Sequence, residues 1–209
     1  LKEIITLQLK LSDSWTNFKL IFHVLSSKES ELVYEDEKVS VHTIPLDHRV
    51  YTNGYLFKEK PFERKLDIQK AEALNIDKAY FRKLKQGADV VNEQGELIAN
   101  SAVTLEGHQP KSYAFCSDTA YKEDIVPLIK DVDVLYHEST FLEDHEYLCV
   151  KTKHSTAKQA AMIALKANTK LLILGHYSTR YGGLEGFKTE AETVFKNVLL
   201  AEDGKEFTF

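Results

Sequence analysis

From Ser112 onward, short apolar runs alternate with helix-forming stretches, and this alternation restricts the fold more than any other feature of the chain. SYAFC (112–116), DVLYH (133–137) and KLLILGH (170–176) have the length and composition of strands. Between and after them the pattern predicts a helix over Tyr121 to Asp131, a second over STAKQAAMIALKAN with Ser155 as its cap, and a third over TEAETVFKNV (189–198). In the second, Ala160, Ile163, Ala164 and Ala167 form one narrow apolar stripe. Strands separated by helices imply βαβ units, hence an α/β fold whose sheet is covered by helices on at least one face.

The first half is less regular. LKEIITLQLKL has near-helical apolar spacing, and FKLIFHVL (18–25), ELVYED (31–36), KVSVHTIPL (38–46) and GYLF (54–57) read as strands. Residues 58–111 break that rhythm with a helical stretch around 67–74, a basic helix around 77–86 and a polar hairpin centred on Gln94-Gly95. Charge is unevenly placed as well. Residues 56–85 hold nine Lys/Arg against five acids, a local +4 in a chain whose net charge is −5. The overall charge argues against binding nucleic acid over the whole surface. The segment itself is either a solvated lysine-rich face or a basic arm for a polyanion on an acidic body.

At 43% hydrophobic and 28% charged, the composition is that of an ordinary globular domain, and no apolar run is long enough for a membrane span. Cys116 and Cys149 are too few for a disulfide framework, which points to a reducing, cytoplasmic setting. Cys116 lies inside a strand and reads as a small buried hydrophobe.

Several strands end on residues that ligate metals or move protons. IPLDH ends at His48, AFCSD at Asp118, VLYHE at His137-Glu138 and LILGH at His176, while His154 directly precedes Ser155. One histidine at a strand end is usually a hydrogen-bonded rim residue. Several together are another matter, because neighbouring strand ends converge on one sheet edge. Imidazoles plus carboxylates without a cysteine pair suit a catalytic rather than a structural zinc. His23 and His42 lie inside apolar strands and read as structural, His108 and His145 lie in polar loops and read as solvated, and His137 reads as a packing or hydrogen-bonding residue.

The ordered blocks PLDHRVYTNGY, FCSDTAY, LYHESTF, KHSTAKQAA and LGHYSTRY resemble the ribonuclease Z family, tRNA 3′-processing endonucleases of the metallo-β-lactamase superfamily. The resemblance covers essentially all 209 residues. It implies an αββα sandwich with a dinuclear zinc site on one edge, manganese being a possible substitute. The chain would supply the C-terminal half of that sandwich, with 1–56 and 112–209 as core and 57–111 as an inserted, tRNA-binding exosite arm. The superfamily's His-x-His-x-Asp-His block is absent from these residues and is expected to precede Leu1. The arm has NIDKAYFRKLKQG where many members carry a Gly-Pro-rich turn.

Residue roles follow from the same resemblance. His48 would ligate one zinc, His176 the other, and Asp118 would bridge both. His154 would be the general acid, oriented and charged by Glu138 of HEST, the counterpart of the family's HEAT glutamate. Ser178 and Arg180 would bind substrate phosphate, and Lys78, Arg82, Lys83 and Lys85 of the arm would meet tRNA. The implied activity is removal of the 3′ trailer of precursor tRNA, leaving a 3′-hydroxyl, by a homodimer with no membrane attachment. Two other readings stay open: a phosphodiesterase of the same fold acting on small diesters, and a non-catalytic tRNA-binding or scaffold fragment.

Overall fold

The computed structural model describes all 209 residues. In chain order the elements are α1 (Lys2–Leu11), β1 (Leu32–Glu35), β2 (Val39–Pro45), β3 (Asn53–Glu59), β4 (Lys65–Leu66), α2 (Ile68–Ala73), α3 (Phe81–Lys85), β5 (Val90–Val91), β6 (Leu97–Ile98), α4 (Asn100–Val103) and β7 (Thr104–Leu105). There follow β8 (Ser112–Cys116), β9 (Val134–Glu138), α5 (Glu146–Thr152), α6 (Ala157–Lys166), β10 (Leu171–Gly175), α7 (Glu185–Glu192) and β11 (Val198–Leu200).

Seven strands form one mixed sheet in the order β1-β2-β3-β8-β9-β10-β11. The pairs from β1 to β8 are antiparallel, and those from β8 to β11 are parallel. This topology positions the site. The parallel strands β8, β9 and β10 all finish at the same edge. Two antiparallel steps, β2 to β3 and β3 to β8, restore the direction of β2, so Asp47 and His48 emerge at that edge too.

β10 is buried at every residue because both its faces are used, as expected of an interior parallel strand. Leu172 and Leu174 join Ile44, Leu56, Ala114, Cys116 and Leu135 in the main core beneath α6 and α7. There Ala160, Ile163, Ala164 and Ala167 are fully buried, so the small-residue stripe is what lets α6 approach the sheet closely. On the opposite face, Leu171, Ile173 and Val134 are covered by Tyr113, Tyr136, Leu199, Ala201 and Phe207. Phe115 on that face stacks on Tyr136 with centroids 4.7 Å apart. One sheet with helices on one face corresponds to the αβ half expected from the sequence.

Residues 60–110 fold around a separate small core of Ala71, Ile76, Leu84, Val90 and Val103, flanked by two short strand pairs, β4–β7 and β5–β6. Asn100, buried beside this core, donates to the carbonyls of Leu84 and Ala88, while Arg64 donates from Nε to Thr104.

Four elements depart from expectation. Residues 18–25 form no strand and are largely exposed, His23 included, because a strand-forming run needs a hydrogen-bonding neighbour and here it has none. The expected helix over Tyr121 to Asp131 is reduced to a 3₁₀ turn at Glu123–Ile125 followed by further turns. Pro127 lacks the N–H that would continue the ladder. The cap of α6 is Thr156, not Ser155, in a reciprocal capping box with Gln159. The last helix lies earlier than expected, at Glu185–Glu192, and Val198 is instead the first residue of β11, drawn out of the helix by parallel pairing with Leu172. α1 forms as expected but buries none of its residues.

Candidate metal and acid–base site

The C-terminal tips of β8, β9 and β10 deliver Asp118, Glu138 and His176 to one place. The loop before α6 adds His154, and the ligand atoms of these four lie within 4.8 Å of one another. Asp118 and His176 sit just past their strands with φ of 60°. This left-handed backbone costs roughly 1–3 kcal/mol per residue and is tolerated where surrounding structure enforces it. From these two turns Asp118 Oδ1 ends 3.1 Å from His176 Nε2.

Glu138 is completely buried, and donors saturate both of its oxygens. Oε1 accepts from the Thr119 N–H at 2.6 Å and from His154 Nδ1 at 2.8 Å. Oε2 accepts from the Thr140 hydroxyl at 2.7 Å, the Ser155 N–H at 3.1 Å and, more loosely, the Thr140 N–H at 3.4 Å. Burial alone pushes this carboxyl up. The hydrogen bonds from His154, Thr140 and Ser155 outweigh it and hold the group below the usual carboxylate range. In return, the hydrogen bond to Glu138 raises the pKa of His154 above that of a free imidazole, against the opposing effect of its partial burial. Ser155 therefore acts at this site rather than as a cap: its hydroxyl donates to the Thr119 carbonyl at 2.7 Å and joins the β8 and α6 loops.

His48, His154 and His176 form a row of rings, with centroids 5.1 Å apart for the first pair and 5.2 Å for the second. The Nδ1 atom of each is engaged: His48 donates to the Lys153 carbonyl at 3.0 Å, His154 to Glu138, and His176 meets Thr140 Oγ1 at 2.9 Å. The donor set fits a divalent cation. Imidazole and carboxylate are ligands for zinc-class metals, and His176 Nε2 and Asp118 Oδ1, 3.1 Å apart, are close enough to share one cation. Glu138 has no oxygen left to ligate. Asp118 and His176 are the open pair, and His48, beside His154, lies outside the four-residue cluster.

The remaining expected residues distribute as follows. Ser178 and Arg180 lie together on the turn after β10, Arg180 Nε donating to Ser178 Oγ at 3.3 Å, with its guanidinium 5.4 Å from the Phe141 ring. A cavity of about 550 Å³ adjoins His48 and is lined by Lys28, Arg49, Tyr51 and Lys122. Lys78, Arg82, Lys83 and Lys85 are exposed, on α3 and the turn before it, far along the chain from the metal cluster. Lys83 sits over the Tyr80 ring at 5.4 Å.

His137 is fully buried, donates from Nδ1 to the Glu138 carbonyl at 2.7 Å and is held neutral by desolvation, which lowers its pKa. His145, expected to be solvated, is half-buried between Asp144 and the Tyr181 hydroxyl. Thr140, Thr119 and Ser155 are site residues that the sequence did not single out. The signal for Thr140 was the fourth position of HEST, which places it next to Glu138 once β9 ends.

No family model matches the chain. The chain is 43% identical to a ribonuclease Z of Cytophaga hutchinsonii over 208 residues, covering 99% of itself and 66% of that protein. It is 37% identical to a ribonuclease Z of Bacteroides fragilis, covering 97% of itself and 67% of that protein. The chain thus spans only about two thirds of the length of the curated relatives it matches. Among solved structures, the human tRNase Z short form superposes with a TM-score of 0.59 at 18% identity, over 97% of this chain and 61% of that one. A metallo-β-lactamase fold protein of Bacillus subtilis gives 0.52 at 16% identity, over 82% of this chain and 50% of that one. At such identities these two structures speak to the fold, which is of the metallo-β-lactamase type.

Proposed function

The chain belongs to the ribonuclease Z family, and on that premise we propose that it is the C-terminal portion of a metal-dependent endoribonuclease that removes the 3′ trailer of precursor tRNA and leaves a 3′-hydroxyl on the tRNA. The observation that carries this reading is the His154–Glu138 pair, 2.8 Å apart and buried on its carboxylate side, set directly beside the open Asp118–His176 pair. A proton donor adjoining a cation site is what cleavage of a phosphodiester requires.

In this reading Asp118 and His176, together with His48, hold zinc or manganese, two ions per subunit in the complete enzyme. A bound ion of this kind polarises a phosphodiester oxygen and makes water a stronger nucleophile at neutral pH. The chain's own residues do the rest. Glu138 holds His154 with Nδ1 protonated and keeps the ring charged, so that Nε2–H is the proton available to the leaving oxygen. Ser178 and Arg180, on the turn after His176, hold the flanking phosphates. Residues 57–111 serve as the exosite arm, with Lys78, Arg82, Lys83 and Lys85 on the phosphates of the tRNA body. We place the enzyme in the cytoplasm as a homodimer; no helix is long and apolar enough to cross a membrane.

Full-length protein loaded with zinc, incubated with a 3′-extended precursor tRNA, is expected to give a shortened tRNA whose new end can be extended by a polymerase that requires a 3′-hydroxyl. Intact precursor after incubation with either zinc or manganese would refute the assignment.

A further inference from the structure

Thr140 touches both halves of the site. Its hydroxyl lies 2.7 Å from Glu138 Oε2, 2.9 Å from His176 Nδ1 and 3.1 Å from the His176 carbonyl. The residue is itself buried, and its backbone continues the link: the Ser178 N–H donates to the Thr140 carbonyl at 3.1 Å, and the Ser139 N–H to the Gly175 carbonyl at 2.8 Å. The loop carrying Glu138 and the turn carrying His176 are thus zipped together through this residue.

A hydroxyl has one proton and two lone pairs, which decides how the chain of contacts runs. Glu138 receives three backbone N–H groups, from Thr119 on Oε1 and from Ser155 and Thr140 on Oε2, and these can only donate, so its carboxylate is an acceptor on both oxygens. The shortest Thr140 contact is to that carboxylate, and a hydroxyl donating to a charged acceptor makes the strongest of the available bonds. With its proton committed there, Thr140 Oγ1 can only accept from His176. The proton on His176 is then on Nδ1, and Nε2, 3.1 Å from Asp118 Oδ1, carries a bare lone pair.

We propose that Thr140 is a positioning residue that fixes His176 in its Nδ1–H tautomer, and so ties the Asp118–His176 cation pair to the same buried carboxylate that orients His154. The inference rests on the reading of Asp118 and His176 as metal ligands for its metal-binding consequence; without a metal the tautomer assignment rests on the shorter Thr140 contact, 2.9 Å, prevailing over Asp118 Oδ1, which at 3.1 Å would accept from Nε2–H. One carboxylate then serves both functions: Oε1 aims the proton donor, and Oε2, through Thr140, aims the ligand. Outer partners of this kind commonly matter about 10–100-fold in metal affinity.

The test uses full-length protein labelled with ¹⁵N-histidine, stripped of metal and held near pH 8, where free imidazoles are neutral. Long-range ¹H–¹⁵N spectra should show His176 as the Nδ1–H tautomer in the wild type and in Thr140→Ser, and a mixture or the Nε2–H form in Thr140→Val. Zinc affinity from chelator competition should fall about 10–100-fold in Thr140→Val and by less than about threefold in Thr140→Ser. Circular dichroism melting identifies variants that have not folded. Wild-type His176 found as the Nε2–H tautomer overturns the proposal without any variant. A folded Thr140→Val with unchanged tautomer and affinity overturns it as well. Wild-type protein that binds no zinc overturns the metal reading instead, while the tautomer spectra still decide the role of Thr140.

Discussion

Glu138 and His154 are a buried carboxylate and a half-buried imidazole whose pKa values move apart, and the direction of each shift has a measurable consequence. The lowered pKa of Glu138 gives stability that is present above its unfolded value of 4.5 and lost as pH falls through the depressed folded value. The raised pKa of His154 gives stability present below its unfolded value of 6.5 and lost as pH rises through the raised folded value. Both contributions are complete between those two unfolded values. Metal-free protein should therefore show its highest melting temperature in that window, as far as this pair governs it. Glu138→Gln removes the largest influence raising His154, so the His154 midpoint, followed by NMR, should move down, and the alkaline limb of the cleavage rate should move down with it. An unchanged midpoint would mean that Glu138 does not hold the charge on His154. Glu138→Ala should cost about 3–5 kcal/mol of stability, because it strands several buried donors at once.

Among the elements, α6 matters most, because it seats the His154 loop on the sheet. Its start depends on the Thr156–Gln159 capping box, and its closeness to the sheet depends on the alanine face. Thr156→Ala should cost about 0.5–2 kcal/mol in urea unfolding. Ala164→Leu should cost about 1–3 kcal/mol or more, because the site has no space and the sheet cannot retreat. If Ala164→Leu proved neutral, the tight helix–sheet contact described above would be wrong. The stripe was legible in the sequence because helical periodicity is a local property. The absence of a helix over Tyr121 to Asp131 was less legible, since only Pro127 marked it in a segment otherwise apolar at plausible spacing. Val198 was lost to a helix prediction because its strand identity comes from pairing with β10, which no local pattern encodes.

At the scale of the molecule, the sheet and the satellite at residues 60–110 have separate cores, and the two segments that join them leave the sheet side by side, the Glu59 N–H donating to the Lys111 carbonyl at 2.9 Å. Replacing residues 61–109 by a short turn in full-length protein should leave zinc affinity unchanged. It should weaken binding of precursor tRNA and flatten the salt dependence of that binding, which arises from counterion release by lysine and arginine on phosphates. Unchanged tRNA affinity and salt slope would remove the arm from substrate recognition. The amino-acid sequence by itself determined the alternation of strands and helices, the basic bias of the arm, and the chemical identity of the residues at the strand tips, because periodicity, composition and residue type are local. Only the tertiary structure decided that these tips share one edge, since that depends on strand order and on the two antiparallel reversals that restore the direction of β2. It alone showed that Glu138 is saturated by five donors from four residues and reaches His176 through Thr140. Hydrogen bonds between residues 36 positions apart are set by how the chain packs, and a hydroxyl on a loop carries no sign in the sequence of which partner it will meet.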